Sequence, residues 1–435
     1  MKLTSWGRYP VSESTVNRPR DNNALVDSLQ HSQDSSSCIA RGMGRSYGDS
    51  ALAECVHSTT ALDHFIAFDE EHGLLRCAAG VTLETILRAM MPRGWFLPVV
   101  PGTWYVSVGG AIASDVHGKN HHLDGSFGQH VESLRLMLAS GDIVHCSAQE
   151  NTELFHATCA GMGLTGIIVD ATLHLRRCNS SAVMQRTLRA GNLDEIFTLF
   201  ENHHNSHYSV AWLDCLARGK TLGRSLLYLG EHANDNTCHT PGKGSISVPF
   251  ATPAFLLNRH SMSLFNSLYY HQPVKEAVEQ RIEAKQYFFP LDSIQHWNRL
   301  YGKRGFMQYQ CVIPNASAQA AVREILTRIS NAGKGSFLSV LKKLGPANQN
   351  LLSFPLEGYT LALDFKFEHS TLALLDELDN IVLAHAGRLY LAKDARMSQE
   401  VFRRSYPRWE EMARVRAQTG ADRIFNSLQS RRLGL

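Results

Sequence analysis

The amino-acid sequence predicts an α+β fold in which one domain is interrupted by a second. Short strand-like runs alternate with helical segments as far as about residue 177, and glycines concentrate in the loops between them. The glycines thin out from about residue 179 to residue 387, and a further strand and helix follow. We therefore predict a first domain made of residues 1–181 and 388–435. An inserted α+β domain, with an antiparallel sheet and helices, spans residues 182–387.

The first domain contains the clearest local patterns. Residues 74–80 have the composition of a strand, and residues 82–91 are typical of a helix that Thr82 caps and Pro92 ends. Apolar residues alternate with polar ones from Ile167 to Leu175, which predicts a half-buried strand.

The inserted domain and the tail give fewer signals. Turn residues dominate 232–249, which we interpret as a loop, while 318–332 and 359–367 are typical of a helix and a strand. Residues 388–394 indicate a late strand, and one helix is predicted from about 398 to 417. The apolar segment 249–257 and the aromatic residues Phe265, Tyr269 and Tyr270 are candidates either for membrane contact or for burial.

Composition and charge exclude several classes of protein. The chain has 435 residues, 44% of them hydrophobic, and its formal net charge of +3 gives no reason to expect a nucleic-acid partner. It has neither the ~18 consecutive apolar residues of a spanning helix nor an apolar run behind its first charged residue that would form a secretory signal. We expect a cytoplasmic protein whose membrane contact is at most peripheral, on the inner face of the cell membrane.

The cysteines and histidines do not form a familiar metal motif. Nine cysteines, an odd number, are widely scattered and none belongs to a Cys-x-x-Cys pair, which argues against a disulfide scaffold and a structural zinc site. His117, His121 and His122 lack the Glu-x-x-His partner of a helical metal site. The expectation is that the protein holds no metal.

Three glycine-rich clusters are the candidates for ligand binding. Residues 41–49 form a turn whose backbone N–H groups suit a diphosphate, although the spacing misses the dinucleotide fingerprint by one residue and a plain structural turn remains open. Residues 101–113 are rich in Gly and small residues and run into polar residues 114–122, a combination that suits a flat ring lying against main chain. The third cluster, residues 160–168, leads into the strand that begins at Ile167.

These clusters, in this order, resemble the FAD-binding domain of the vanillyl-alcohol-oxidase/PCMH superfamily. Over nearly the whole chain the sequence is similar to the decaprenylphosphoryl-β-D-ribose 2'-oxidase family within it. The segments that carry this wider resemblance are 5–8, 42–49, 94–98, 117–122, 297–299, 305–310, 390–394 and 431–433. The resemblance implies an FAD-dependent oxidoreductase that oxidises the 2'-hydroxyl of a polyprenylphosphoryl-β-D-ribose to the 2'-keto sugar. This would be the first half of an epimerisation to an arabinose donor, and an NAD(P)H-dependent short-chain reductase is the implied partner.

The resemblance also assigns roles to residues. It implies that FAD is contacted by Arg41, Gly42, Met43, Gly44, Arg45, Ser46, Tyr47, Gly48, Asp49, Gly102, Ser107, Val108, Gly109, Gly110, His117, Gly118, Lys119, Asn120, Ile168 and Tyr390. Many relatives attach the flavin through a histidine in the first loop. Because Arg45 stands in the corresponding stretch, we expect FAD to be held without a covalent bond.

The resemblance places Lys393 and His117 in the catalytic centre and lines the sugar pocket with Lys119, Gln310, Lys342, Thr360 and Lys393. Oxidation of a secondary alcohol needs removal of a proton while a hydride leaves for the flavin. Lys393 can act as the base only if burial or a neighbouring charge lowers its pKa, and otherwise it orients the hydroxyl. Two positions depart from the family pattern, because Ala362 replaces a cysteine and Thr360 replaces an asparagine.

Two other functions stay open at this point. A soluble-sugar oxidase of the alditol or aldonolactone type, passing electrons to oxygen, is opposed by Arg45 in place of the histidine. A flavin-binding scaffold without turnover, which only docks the reductase, is opposed by the presence of Lys393 and His117.

Overall fold

The computed structural model describes residues 1–31, 37–242, 246–253, 257–274 and 278–435. Strands and helices alternate up to residue 177. The strands are β1 (Lys2–Thr4), β2 (Val11–Glu13), β3 (Thr15–Asn17), β4 (Cys38–Arg41), β5 (Cys55–Ser58), β6 (Phe65–Asp69), β7 (Leu74–Ala78), β8 (Trp95–Phe96), β9 (Val131–Met137), β10 (Ile143–Ser147), β11 (Ile167–His174) and β12 (Arg176–Arg177). The helices are α1 (Asn22–Gln30), α2 (Leu83–Met90), α3 (Val108–Ala113), α4 (His121–Asp124) and α5 (Thr152–Thr158).

Two sheets organise this first part of the chain. A parallel sheet has the order β3-β5-β4, and an antiparallel sheet has the order β10-β9-β11-β7-β6. The strands predicted around 74–80 and 167–175 are β7 and β11, and the helix predicted at 82–91 is α2. Thr82 caps α2 as expected, since its hydroxyl accepts from the N–H of Thr85 at 3.1 Å.

The second part of the chain forms one large antiparallel sheet with helices on it. Its strands are β13 (Ala182–Ala190), β14 (Tyr208–Leu213), β15 (Ser225–His232), β16 (Ile246–Ser247), β17 (Gln280–Glu283), β18 (Ile294–Gln295), β19 (Phe306–Pro314), β20 (Ser339–Leu344), β21 (Gly358–Lys366) and β22 (Arg388–Leu389). Its helices are α6 (Leu193–Asn202), α7 (Arg259–Tyr270), α8 (Ala284–Phe288), α9 (Asn315–Ala332) and α10 (His369–Ala384). The sheet order is β17-β13-β15-β14-β20-β21-β19-β22. The predicted α+β class, with helices and antiparallel sheets, is confirmed.

The large sheet has two different faces because side chains alternate along each strand. On β21, Leu361 and Leu363 lie in the hydrophobic core with Ile325 of α9 and Leu378 of α10. The residues that alternate with them along the strand, at 360, 362 and 364, point to the opposite face. That face forms the floor of the candidate site described below.

The C-terminal tail contacts both parts of the chain. Its helices are α11 (Gln399–Ser405), α12 (Trp409–Gln418), α13 (Ala421–Ile424) and α14 (Leu428–Leu433). Strand β22 pairs with β19 at the edge of the large sheet, while Phe425 bridges to Cys38 of β4. These contacts bring the tail against the first part of the chain; the domain limits given above stay a prediction.

Two expectations need correction, and the aromatic candidates for membrane contact differ in burial. The single helix predicted over 398–417 is two helices, because Pro407 lacks an N–H and restricts the residue before it. The predicted loop 232–249 contains the short strand β16, which pairs with β18. Among the aromatic candidates for membrane contact, Tyr270 is buried and Tyr269 is half-buried, whereas Phe265 is 45% exposed.

Three of the nine residues of the apolar segment 249–257, residues 254–256, lie outside the described residues. No helix among the residues that the structure describes is long and apolar enough to cross a membrane.

Candidate active site

A cavity of 890 Å³ lies between the glycine-rich loops of the first part and the polar face of the large sheet. The structure brings most of the sequence-predicted site residues to its wall. Those that line it are Gly42, Met43, Gly44, Arg45, Ser46, Tyr47, Gly102, Ser107, Gly109, Gly110, His117, Gly118, Lys119, Ile168, Gln310, Lys342, Tyr390 and Lys393.

Six predicted residues do not line the cavity: Arg41, Gly48, Asp49, Val108, Asn120 and Thr360. Gly48 packs against main chain, since a Cβ placed on it would lie 1.7 Å from the carbonyl oxygen of Asp394. Asp49 forms an ion pair with Arg432 at 2.7 Å, and Arg432 also pairs with Asp394 at 2.8 Å. Gly48 and Asp49 therefore hold the first glycine-rich loop against the C-terminal tail.

The first glycine loop presents backbone donors that have no described acceptor. The N–H groups of residues 43–46 form no hydrogen bond within the described part of the chain. Gly44 has a φ of 62°, so the loop turns through the left-handed region that only glycine adopts freely. Successive N–H groups in such a turn form an anion-binding concavity. This arrangement fits the diphosphate of an FAD.

His117 is held by the large sheet. The amide nitrogen of Gln310, on β19, lies 2.9 Å from Nε2 of His117 and 3.2 Å from the hydroxyl of Thr360, on β21. Burial, with the positive charge of Lys342 adding to it, holds the pKa of His117 well below its ordinary value. The imidazole is therefore neutral, and Thr360 acts on the site by orienting Gln310.

Lys393 is half-buried at the cavity wall, near an acidic group. Its Nζ lies 3.9 Å from the centre of the Tyr47 ring. Burial lowers the pKa of Lys393 to about 7, against the opposing effect of Asp364, and Lys342 lowers it further. Burial also raises the pKa of Asp364 to about 7, although the amide of Gln308 donates to this carboxylate at 2.6 Å. Near neutral pH a substantial share of Lys393 is thus an uncharged amine that can accept a proton.

Two further half-buried lysines face the cavity. Burial lowers the pKa of Lys119 to about 7, with Lys342 as a second cause, and lowers the pKa of Lys342 to about 8. Lys119 donates to the carbonyl of Tyr287 and lies 4.2 Å from the centre of that ring. Within the described ranges, the salt bridges of lysine side chains involve Lys2, Lys334, Lys343 and Lys366, and neither Lys119 nor Lys342 takes part in one. The cavity wall therefore has a positive charge that no carboxylate neutralises by direct contact.

Asp364 is the residue that the sequence analysis missed. It lies on β21 at the same parity as Thr360 and Ala362, and it is directly opposite Gln308 in the register of β19 and β21. The period of two along a strand was therefore a signal that could have identified it. Ala362 lines the cavity, so the departure from the family cysteine removes a thiol from the wall itself.

The comparisons with known proteins agree with this geometry. A family described as FAD binding domain matches residues 14–147. The chain is 35% identical, over 100% of its length and 97% of the relative's, to decaprenylphosphoryl-beta-D-ribose oxidase of Mycolicibacterium smegmatis. It is 32% identical to an uncharacterised protein of Streptomyces coelicolor, over 82% of this chain and 100% of that protein.

A D-arabinono-1,4-lactone oxidase of Yarrowia lipolytica is similar over a much smaller part, at 34% identity across 22% of this chain and 18% of that enzyme. The lactone oxidases are therefore distant relatives. FAD is the cofactor that both the matched domain and the loop geometry support. The chain is an FAD-dependent oxidoreductase and belongs to the decaprenylphosphoryl-β-D-ribose oxidase family.

Proposed function

We propose that this enzyme oxidises the 2'-hydroxyl of a polyprenylphosphoryl-β-D-ribose to the 2'-keto sugar. The full-length similarity to an oxidase named for this substrate supports the sugar and its lipid phosphate. The observation that carries the proposal is the set of three half-buried lysines, Lys119, Lys342 and Lys393, at the wall of one cavity.

Lys119 and Lys342, as partly buried cations, favour an anionic substrate. A charged ammonium group taken out of water is costly unless an opposite charge compensates it. The phosphate of a lipid-linked sugar provides that charge, whereas a free alditol or an aldonolactone does not. The positive wall therefore favours a phosphate-bearing donor over the soluble-sugar alternative.

The mechanism assigns the proton to this chain's own residues. Bound FAD supplies the acceptor for the hydride that leaves the sugar carbon. Lys393, in its uncharged form, takes the hydroxyl proton through Nζ as the carbon–oxygen double bond forms. Burial and Lys342 keep His117 neutral, and Gln310 holds it in place, so that its ring orients the sugar without competing for the proton.

Anaerobic mixing with different sugars tests the assignment. A short-chain polyprenylphosphoryl ribose should bleach the oxidised-flavin absorbance within one turnover, and mass spectrometry should detect a product lighter by two hydrogens. D-arabinono-1,4-lactone and xylitol serve as the soluble comparison. Faster bleaching by either soluble compound than by the lipid-linked ribose would overturn the proposal and assign the enzyme to the alditol or aldonolactone type.

We also propose that the keto sugar passes to an NAD(P)H-dependent short-chain reductase, which returns a hydride to the opposite face and completes an epimerisation. The product would be an arabinose donor for polysaccharide assembly at the cytoplasmic side of the membrane. Mixing both proteins with lipid-linked ribose and NADH or NADPH tests this, because only the coupled reaction should yield arabinose after acid hydrolysis. Ribose alone after hydrolysis would contradict it.

A lipid-linked substrate requires peripheral membrane contact, and α7 is the candidate surface. Leu264, Phe265 and Leu268 are 63%, 45% and 67% exposed. Leu264 and Leu268 are four residues apart and share one face of α7, and Phe265 lies next to that face. The double variant Leu264→Ser and Leu268→Ser should lose co-sedimentation with anionic vesicles and keep its flavin. Leu123→Ser, at a residue 51% exposed elsewhere, is the matched control. Unchanged sedimentation of the double variant would exclude α7.

A further inference from the structure

A cluster of two thiols and one imidazole lies outside the cavity. One possible ligand atom from each of Cys38, Cys55 and His57 lies within 4.8 Å of the other two. Their side chains are 0%, 6% and 0% exposed. None of the three lines the cavity of the candidate active site, so the catalytic chemistry leaves the cluster without a role.

The backbone of the parallel sheet itself places the three side chains together. Cys38 of β4 is directly opposite Cys55 of β5, and partners in register on parallel strands project to the same face. Cys55 and His57 are two residues apart on one strand, so they share that face as well. The arrangement therefore does not depend on a flexible loop.

The imidazole is oriented toward the thiols. Nδ1 of His57 lies 2.9 Å from the hydroxyl of Ser28, on α1, which leaves Nε2 to face the sulfur of Cys55 at 3.7 Å. Histidine ligands of metals are typically fixed in this way, with one ring nitrogen bonded to an oxygen and the other on the metal. The amide of Asn17 approaches the sulfur of Cys55 at 3.5 Å, in the position of a donor that stabilises a thiolate.

The spacing of Cys55 and His57 fits a tetrahedral metal. Zinc binds cysteine sulfur at about 2.3 Å and histidine nitrogen at about 2.0 Å, which separates the two ligand atoms by about 3.5 Å in a tetrahedron. The observed separation between Cys55 Sγ and His57 Nε2 is 3.7 Å, and the ligand atom of Cys38 lies within 4.8 Å of both. No other His, Cys, Asp or Glu side chain of the described residues joins the group.

We propose that Cys38, Cys55 and His57 bind one Zn²⁺ ion. Binding releases the two thiol protons, because thiolates are the ligands. The chain has no Cys-x-x-Cys pair here because the two cysteines come from neighbouring strands. The expectation of no metal rested on that local spacing.

The proposed metal lies at the base of the FAD loop. Strand β4 ends at Arg41 and runs directly into residues 42–49, and the carbonyl of Cys38 accepts from the N–H of Asn426 in the tail. A metal joining β4 to β5 would therefore tie together the strand that carries the diphosphate loop, its neighbour and the tail. We expect zinc to raise the midpoint of thermal unfolding and to have little effect on the flavin spectrum.

The test begins with the flavin-loaded full-length protein. It is dialysed against Zn²⁺ and then against a weak chelator, and zinc is measured by elemental analysis. We expect one zinc per chain in the native protein and in Cys146→Ala, a control at a buried cysteine of β10 outside the cluster. The double variant Cys38→Ala and Cys55→Ala should retain less than a tenth of the zinc found in the native protein. If the native protein holds no more zinc than the dialysis buffer, or the double variant holds as much zinc as the native protein, the proposal is overturned.

X-ray absorption at the zinc edge identifies the zinc ligands of the native protein even if the double variant fails to fold. The native protein should show two sulfur neighbours at about 2.3 Å together with imidazole nitrogen at about 2.0 Å. A shell of nitrogen and oxygen alone would place the zinc elsewhere and contradict the proposal.

Discussion

Replacing Asp364 with Asn should move the pH profile of the enzyme toward acid. The Asp364 carboxylate raises the pKa of Lys393, while burial, the larger effect, lowers that pKa to about 7. The amide removes the negative charge but keeps the size of the side chain and a partner for Gln308. Only the electrostatic support of the Lys393 ammonium is lost, so its pKa should fall further.

The size of the shift follows from the burial of the pair. Asp364 is 0% exposed, and an opposite charge close to a buried group shifts its pKa by roughly 1–3 units. Because the pKa of Asp364 is itself about 7, this carboxyl is only partly ionised where Lys393 titrates, so the shift lies at the lower end of that range. A shift of about one unit, worth about 1.4 kcal/mol, would take the pKa of Lys393 from about 7 to about 6.

The assay is the rate of flavin reduction in single turnovers between pH 5 and pH 9, with saturating substrate. The rate should rise with pH, because the base must be uncharged, and the midpoint should lie near 7 in the native enzyme. Asp364→Asn should shift that midpoint down, while Asp170→Asn, at a buried carboxylate of β11, should leave it in place. A midpoint that stays near 7, or moves up, in Asp364→Asn would refute this account of Lys393.

Three further predictions concern the first glycine-rich loop and the cavity wall. Because Arg45 replaces the histidine of covalent relatives, acid precipitation should release all the flavin into the supernatant, and yellow colour left in the pellet would contradict this. Gly48→Ala should lower stability by about 3 kcal/mol and reduce flavin content, since its Cβ would lie 1.7 Å from main-chain oxygen; Gly242→Ala, with nothing within 4 Å, is the control in thermal unfolding. Lys342→Met should raise KM for the lipid-linked sugar about 10-fold to 100-fold, as expected when a charged hydrogen bond to phosphate is lost, without lowering Tm; an unchanged KM would remove Lys342 from substrate binding.

The sequence was most informative where local patterns determine local structure. The alternation of residues 167–175 is β11, and the Thr82 cap begins α2 as predicted. The three glycine clusters identified the loops that meet at the cavity. The break between α11 and α12 was also visible in the sequence, because Pro407 cannot continue a helix.

The sequence was least informative where residues from distant elements meet. Lys393 acquires its low pKa from burial and from Lys342 on β20, against the opposing effect of Asp364 on β21, and none of these is visible in the local sequence. Cys38 and Cys55 become neighbours only through the register of β4 and β5. Motif spacing does not reveal such pairs, because strand order in a sheet is a property of the whole fold.

The most direct test of the central claim is isotopic. A short-chain polyprenylphosphoryl ribose carrying deuterium at C2 is mixed anaerobically with the oxidised enzyme, beside the unlabelled compound, and flavin reduction is followed in a stopped-flow instrument. The account predicts rapid reduction with a primary isotope effect in the native enzyme. In Lys393→Met the rate of reduction should fall by about 100-fold or more. A flavin that stays oxidised, or is reduced at the same rate with and without deuterium at C2 and with and without Lys393, would contradict it.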